Sequence, residues 1–147
     1  MVTVRAVTSA DEPSWRELWA GYNAFYEATV PESVTQLTWR RILDPAAPII
    51  GRVAERGGRV VGFSNSVLHE STWAAAQVCY LEDLFVAATA RGAGIGRLLL
   101  QDLVDLARSN GWPQLYWHTR GSNVTARRLY DTFAPVDDFV RYLLVVS

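Results

Sequence analysis

The spacing of apolar and polar residues changes several times along the chain, and each change marks a predicted element. Val2-Thr3-Val4-Arg5-Ala6-Val7 alternates at period 2 and reads as a first strand. Ser9, Asp11 and Glu12 ahead of Pro13 are helix-start signals for a segment running to about Tyr26. Its aromatic residues Trp15, Trp19, Tyr22, Phe25 and Tyr26 recur at helical spacing, as a stripe that fills a core or lines a pocket. A second helix is expected over residues 32–43, stopping at Asp44-Pro45 because the residue before proline disfavours the helical region. Residues 49–55 and 60–68 flank Arg56-Gly57-Gly58-Arg59 and read as a hairpin. Residues 77–86 read as a long central strand and residues 98–110 as an amphipathic helix that Gly111 ends. A strand over 114–119, a helix over 123–133 and a final strand over 139–146 complete the order β-α-α-β-β-β-α-β-α-β. Hairpins with one β-α-β crossover predict an α/β (α+β) chain: one domain, residues 1–147, with a mixed sheet covered by helices.

Composition narrows the function classes. Half of the 147 residues are hydrophobic and the net charge is −1, which fits a folded globular chain and argues against disorder. It also argues against a nucleic-acid-coating protein, which is usually strongly basic. The single cysteine, Cys79, excludes an internal disulfide framework and fits a reducing compartment. Cys79 lies in the apolar run Val78-Cys79-Tyr80-Leu81, so a buried structural thiol is favoured over a nucleophile. No charged-then-apolar leader opens the chain, and no apolar run approaches the roughly 20 residues that span a bilayer. The expectation is a cytoplasmic protein that engages neither membrane nor nucleic acid. His69 and His118 lack partners at metal-ligand spacing, so no metal is expected.

The chemistry concentrates after the central strand, in Arg91-Gly92-Ala93-Gly94-Ile95-Gly96. Glycines let the backbone approach a ligand closely, and a helix start offers unpaired N–H groups with partial positive charge. Strand, glycine turn and helix together form a phosphate cradle. The dinucleotide fingerprint G-x-G-x-x-G fails, because Gly92 and Gly94 are followed by Arg97 at the third position. The P-loop also fails, since no Gly-Lys-Ser or Gly-Lys-Thr follows.

The remaining pattern, Arg-x-x-Gly-x-Gly over residues 91–96, resembles the pyrophosphate-binding turn of the GNAT acetyltransferase superfamily. Two further segments carry the resemblance. Tyr80-Leu81-Glu82-Asp83-Leu84-Phe85-Val86 looks like the central strand of that superfamily, and closely like that of diamine and spermidine acetyltransferases. Asn123-Val124-Thr125-Ala126-Arg127-Arg128-Leu129-Tyr130 looks like its later Asn-x-x-Ala-x-x-x-Tyr helix. The resemblance spans nearly the whole chain and implies a mostly antiparallel sheet of six to seven strands with about four helices. One departure stands out: Asp138 replaces a glycine usually found before Phe139, which bears on the entry to the final strand.

The same resemblance implies acetyl-CoA as co-substrate, held by the turn residues Arg91, Gly92, Ala93, Gly94, Ile95, Gly96 and Arg97. It adds Leu84, Phe85 and Val86, where a splayed strand would expose amides to the pantetheine arm, together with Asn123, Ala126 and Tyr130. Glu82 stands at the position of a general base acting through water, and Tyr130 at that of the general acid. The chemistry asks for such groups: an alkylamine with a pKa of roughly 10 must lose a proton, and a thiolate must regain one. A carboxylate in an apolar strand is costly unless paired or functional, which supports Glu82, with Asp83 the alternative. Strict alternation would put Tyr80, Glu82, Leu84 and Val86 on one face and Cys79, Leu81, Asp83 and Phe85 on the other. The expected activity is direct acetyl transfer to a primary amine, favouring a small or polyamine-like acceptor. A protein or peptide amine, or a non-catalytic acyl-CoA-binding module, are the alternatives. The aromatic first helix and the last apolar strand are candidate surfaces for a homodimer.

Overall fold

The computed structural model describes residues 1–147. Its elements run β1 (Val2–Ala6), α1 (Glu12–Phe25), α2 (Glu32–Leu43), β2 (Ile49–Arg56), β3 (Arg59–His69), β4 (Val78–Val86), α3 (Ile95–Asn110), β5 (Leu115–Trp117) and α4 (Val124–Tyr130). The strands pair in the order β1-β2-β3-β4-β5, antiparallel through β4 and parallel between β4 and β5. The contacts divide the chain into two compact units, Met1–Trp117 and His118–Ser147, and all of the sheet lies in the first.

Local chemistry accounts for most of these elements. Gly57 and Gly58 both take positive φ (59° and 76°), the geometry of the tight turn that joins twisted antiparallel strands. The parallel β4–β5 pair needs a crossover, and α3 supplies it. One sheet face packs Trp15, Leu18, Trp39, Val53 and Phe63 into a core, with Trp15 5.3 Å from Trp19 and 5.1 Å from Trp39. The aromatic stripe of α1 is therefore mostly core, and Phe25 at its end is exposed. The other face packs Ala54, Ala90, Ile95 and Leu99. Gly62 lets α3 sit close here: a Cβ at that position would lie 3.3 Å from Leu99 Cδ1 and 3.0 Å from the Phe85 carbonyl oxygen.

Two arginines tie these layers together. Arg5 on β1 donates to both oxygens of Asp11 at 2.8 and 2.9 Å, fixing the entry to α1. Arg52 on β2 donates in the same bidentate manner to Asp102 on α3, at 2.9 and 2.8 Å.

Four expectations need correction. Helix α4 covers Val124–Tyr130 rather than residues 123–133, with Asp131 as its C-cap. Helix α3 begins at Ile95 rather than at residue 98, because Gly94 at φ 75° turns the chain directly into it. Strand β5 covers only Leu115–Trp117 rather than residues 114–119. Residues 139–146 form no strand: they have no ladder partner, and Phe139, Val140, Tyr142, Leu143, Leu144, Val145 and Val146 are all exposed. Strand propensity alone does not make a strand without a neighbour to complete its backbone hydrogen bonds. The sheet accordingly has five strands, not six or seven, around the same mixed arrangement with four α-helices.

The Arg5 hydrogen bonds, with help from Thr8, hold the buried Asp11 carboxyl down at about 2, from an ordinary value of 3.8. A depressed acid stabilises the fold above its unfolded pKa, and that support is lost as pH falls from about 4 to 2. Asp11→Asn should lower stability at pH 7 by about 2 kcal/mol. Denaturant unfolding curves should show the gap to wild type closing below pH 3.

Candidate functional site

The cradle forms as its glycines require. Gly92 and Gly94 adopt positive φ (84° and 75°), a region that costs most residues 1–2 kcal/mol or so. Neither glycine has a neighbour within 4 Å of where a Cβ would stand, so conformation rather than crowding demands glycine there. Gly94 is the residue before α3, and no side chain caps that end. Leu98 N–H closes the first helical bond, to the Gly94 carbonyl at 3.1 Å. The N–H groups of Ile95, Gly96 and Arg97 precede that bond in the first turn, where anions are favoured. Ile95 anchors this turn through its buried side chain, whereas Ala93 and Arg97 are exposed.

Strand β4 carries an irregularity that overturns strict alternation. Asn65 of β3 pairs with Asp83 and Ser66 pairs with Leu81, leaving Glu82 as an extra, bulged residue. Residues opposite one another in a ladder share a face. Cys79, Leu81, Leu84 and Val86 therefore share the face of Leu68, Ser66, Ser64 and Gly62, while Tyr80, Asp83 and Phe85 share that of Val67, Asn65 and Phe63. Packing agrees: Leu84 and Val86 join the cluster under α3, and Phe85 joins the cluster under α1. Glu82 itself is exposed to solvent.

The bulge puts Asp83 in an unusual setting. Asn65 Nδ2 donates to Asp83 Oδ2 at 3.1 Å. The Tyr22 hydroxyl lies 3.5 Å from the Glu82 carbonyl, a long contact, and is near enough to the Asp83 carboxylate to favour its ionised form. Burial nevertheless dominates and pushes Asp83 up to about 6 from 3.8, with the neighbouring Glu82 charge adding to it. Burial and the Asp83 charge also push the Tyr22 phenol upward. Cys79 is fully buried on the opposite face, and burial raises its thiol, which leaves little thiolate for nucleophilic work.

The open edge of β4 lies next to this bulge. Its pairing with β5 runs only through Cys79–Leu115, Tyr80–Tyr116 and Leu81–Trp117. From Asp83 to Val86 the strand stays paired with β3, and from Glu82 onward it has no strand on its other side. Backbone groups of Leu84, Phe85 and Val86 on that side have no ladder partner within the sheet. Arg91 turns toward this region: its Nε donates to the Val86 carbonyl at 3.1 Å, and its guanidinium lies 5.3 Å from the Phe85 ring centroid and 5.9 Å from that of Phe25. Arg91 thus pins the turn to β4 through backbone and aromatic contacts. At the other end of β4, His69 Nδ1 lies 2.7 Å from the Glu70 carbonyl and Nε2 lies 2.6 Å from the Tyr116 hydroxyl. A carbonyl only accepts, so Nδ1 carries the proton and Tyr116 donates to Nε2.

In the unit His118–Ser147, Asn123 caps α4, its Oδ1 accepting from Ala126 N–H at 3.2 Å. Tyr130 is the last residue of that helix and is half-buried. Around Asp138 the chain makes a side-chain turn, Phe139 N–H donating to Asp137 Oδ1 at 3.3 Å.

Sequence reasoning pointed to Glu82, Asp83 and the glycine turn and placed Tyr22 in an aromatic stripe, but it passed over Asn65. A signal existed in Ser64-Asn65-Ser66, three consecutive polar residues inside a strand, all of them buried.

A sheet whose inner strand loses a neighbour beside an uncapped, glycine-led helix start is the arrangement of an acetyl-CoA-dependent N-acetyltransferase. The chain belongs to the Acetyltransferase (GNAT) family, whose pattern matches residues 13–134. It is 33% identical over 143 residues to the D-amino-acid N-acetyltransferase HPA3 of Saccharomyces cerevisiae, covering 96% of this chain and 89% of that protein. It is 28% identical over 129 residues to the phosphinothricin N-acetyltransferase of Alcaligenes faecalis, covering 84% and 64%. A solved structure described as a probable acetyltransferase superposes with a TM-score of 0.86 at 21% identity, covering 99% of this chain and 98% of that one, which is a likeness of fold.

Gly94→Ala should test the cradle, because it adds only a methyl group to open space while opposing the positive φ. Acetyl-CoA affinity should fall roughly tenfold by calorimetry, the equivalent of about 1.4 kcal/mol.

Proposed function

We propose that the protein acetylates the primary amine of a small molecule by direct attack on acetyl-CoA in a ternary complex. One observation carries this reading: the carboxylates of Glu82 and Asp83 sit at the bulge where β4 parts from β5. When bound, acetyl-CoA supplies an activated acetyl thioester. Backbone N–H groups of Gly92 to Arg97 would hold its diphosphate, and those of Leu84, Phe85 and Val86 its pantetheine arm, with Asn123 and Ala126 of α4 as further contacts. Glu82, exposed beside the open edge, accepts the amine's proton through water. Tyr130 returns a proton to the departing sulfur. The buried Cys79 gives no support to a covalent acyl-enzyme.

A small acceptor fits the relatives, whose names specify D-amino acids and phosphinothricin. The polyamine-like acceptor suggested by the β4 segment remains part of the same proposal. A second copy of the chain is the proposed protein partner. The exposed apolar stretch 139–146 supports it, since such a surface favours association. Sedimentation should then show a dimer that becomes a monomer when residues 139–147 are deleted.

Thiol release from acetyl-CoA, measured against D-amino acids, diamines and a lysine peptide, should show turnover with at least one small amine. Tyr130→Phe should lower kcat by roughly 10²-fold, and Glu82→Gln by a similar factor at neutral pH, while acetyl-CoA affinity holds. Unchanged turnover in either variant removes that residue from the mechanism.

A further inference from the structure

The β4 bulge gathers acceptor groups with no cation among them. Asn65 is 3% exposed, and with its Nδ2 committed to Asp83 its Oδ1 has no hydrogen-bond partner. A buried acceptor left unmatched is unusual and asks for an explanation. Asp83 is equally out of place. Arg5, Arg16 and Arg52 pair with Asp11, Glu12, Glu32, Glu55 and Asp102 and not with Asp83. Its neighbours are the Asn65 amide, the Tyr22 hydroxyl and the like charge of Glu82. Tyr22 packs 4.9 Å from Tyr26 and 5.9 Å from Phe85, so aromatic rings border the spot. A carboxylate, an orphaned amide oxygen and aromatic rings together match a protonated amine, which brings a positive charge and several N–H donors.

We propose that Asp83, Asn65 and Tyr22 form the subsite that captures the acceptor's protonated nitrogen. The Asp83 carboxylate and Asn65 Oδ1 receive its N–H groups, and Tyr22 fixes the carboxylate from α1. This inference rests on the reading that the acceptor is an amine, and it separates two roles on one strand. Asp83 is a positioning and selectivity residue that binds the cation, while exposed Glu82 takes the proton through water. An alcohol of the same shape brings a single donor and no charge, so the subsite selects amines over hydroxyl acceptors.

The test compares wild type with Asp83→Asn, which keeps shape and removes charge. The probe is the trimethylammonium ion, which carries the charge and one N–H but yields no stable amide. In wild type it should compete with the amine substrate and bind in a chemical-shift titration. In Asp83→Asn its affinity and 1/KM for the amine should both fall at least tenfold, with acetyl-CoA affinity and the melting temperature not reduced. Asn65→Ser should show the same loss in milder form, and it carries the test should Asp83→Asn fail to fold. Unchanged KM and unchanged probe binding in a folded variant overturn the subsite, as does a wild type that never binds the probe. If no amine is turned over yet the probe binds wild type and not Asp83→Asn, the subsite stands and the acetylation reading falls. If Glu82→Gln loses kcat with KM intact while Asp83→Asn does the reverse, both stand with their roles divided.

Discussion

Strand β4 has to satisfy its backbone and yet leave part of it open, and most of the architecture follows from how that conflict is met. It is paired with β3 on both sides of the Glu82 bulge, which holds it rigid, and with β5 only from Cys79 to Leu81. An interior strand opened on one side would ordinarily lose stability, because unpaired backbone groups must find water or a ligand. Two features make the opening tolerable. Leu84, Phe85 and Val86 still pack, two under α3 and one under α1, so the strand is held by its side chains where its edge is free. Arg91 closes the far end by donating to the Val86 carbonyl and lying over Phe85. The same arginine begins the glycine turn, so the open edge and that turn are held in register by one side chain.

Asp11 and Asp83 show how environment divides two identical side chains into different work. Asp11 is buried and Asp83 is half-buried. Asp11 faces a bidentate arginine, which holds it at about 2 and makes it a stabilising element. Asp83 has an amide and a phenol instead of a cation, and burial lifts it to about 6. At neutral pH the folded state therefore bears a cost for keeping Asp83 ionised, and that cost grows as pH rises from about 4 to 6. With the unmatched Asn65 oxygen beside it, this is a place where the fold gives up stability. Such concessions cluster where a ligand completes the structure.

Element order through β5 and the glycine turn were legible because they rest on local rules. Glycine pairs write their positive φ directly into the chain, as at Gly57-Gly58 and Gly92-x-Gly94, and helical periodicity over α1, α2 and α3 is long enough to read. Two things were not legible. The bulge at Glu82 depends on how β3 and β4 meet, and no residue within Tyr80 to Val86 announces it; parity along the strand therefore gave the wrong partners for Leu81 and Asp83. The strand expected at 139–146 has the right composition, but a strand is a relation between two segments, and its partner is not written in its own residues.

This division also separates what the two halves of the site can tell. In the proposed reading the cradle is built of backbone, so it would recognise a group common to every acetyl-CoA reaction. The acceptor side is built of side chains from three elements, Tyr22 on α1, Asn65 on β3 and Asp83 on β4, brought together only by the fold. Substituting any of them changes selectivity without touching the backbone geometry of the turn. The names of two relatives, a D-amino-acid and a phosphinothricin N-acetyltransferase, show that acceptors differ among proteins similar to this chain. The informative residues for substrate are therefore those whose burial and pairing leave a polar atom unmatched, and in this chain they converge on the β4 bulge.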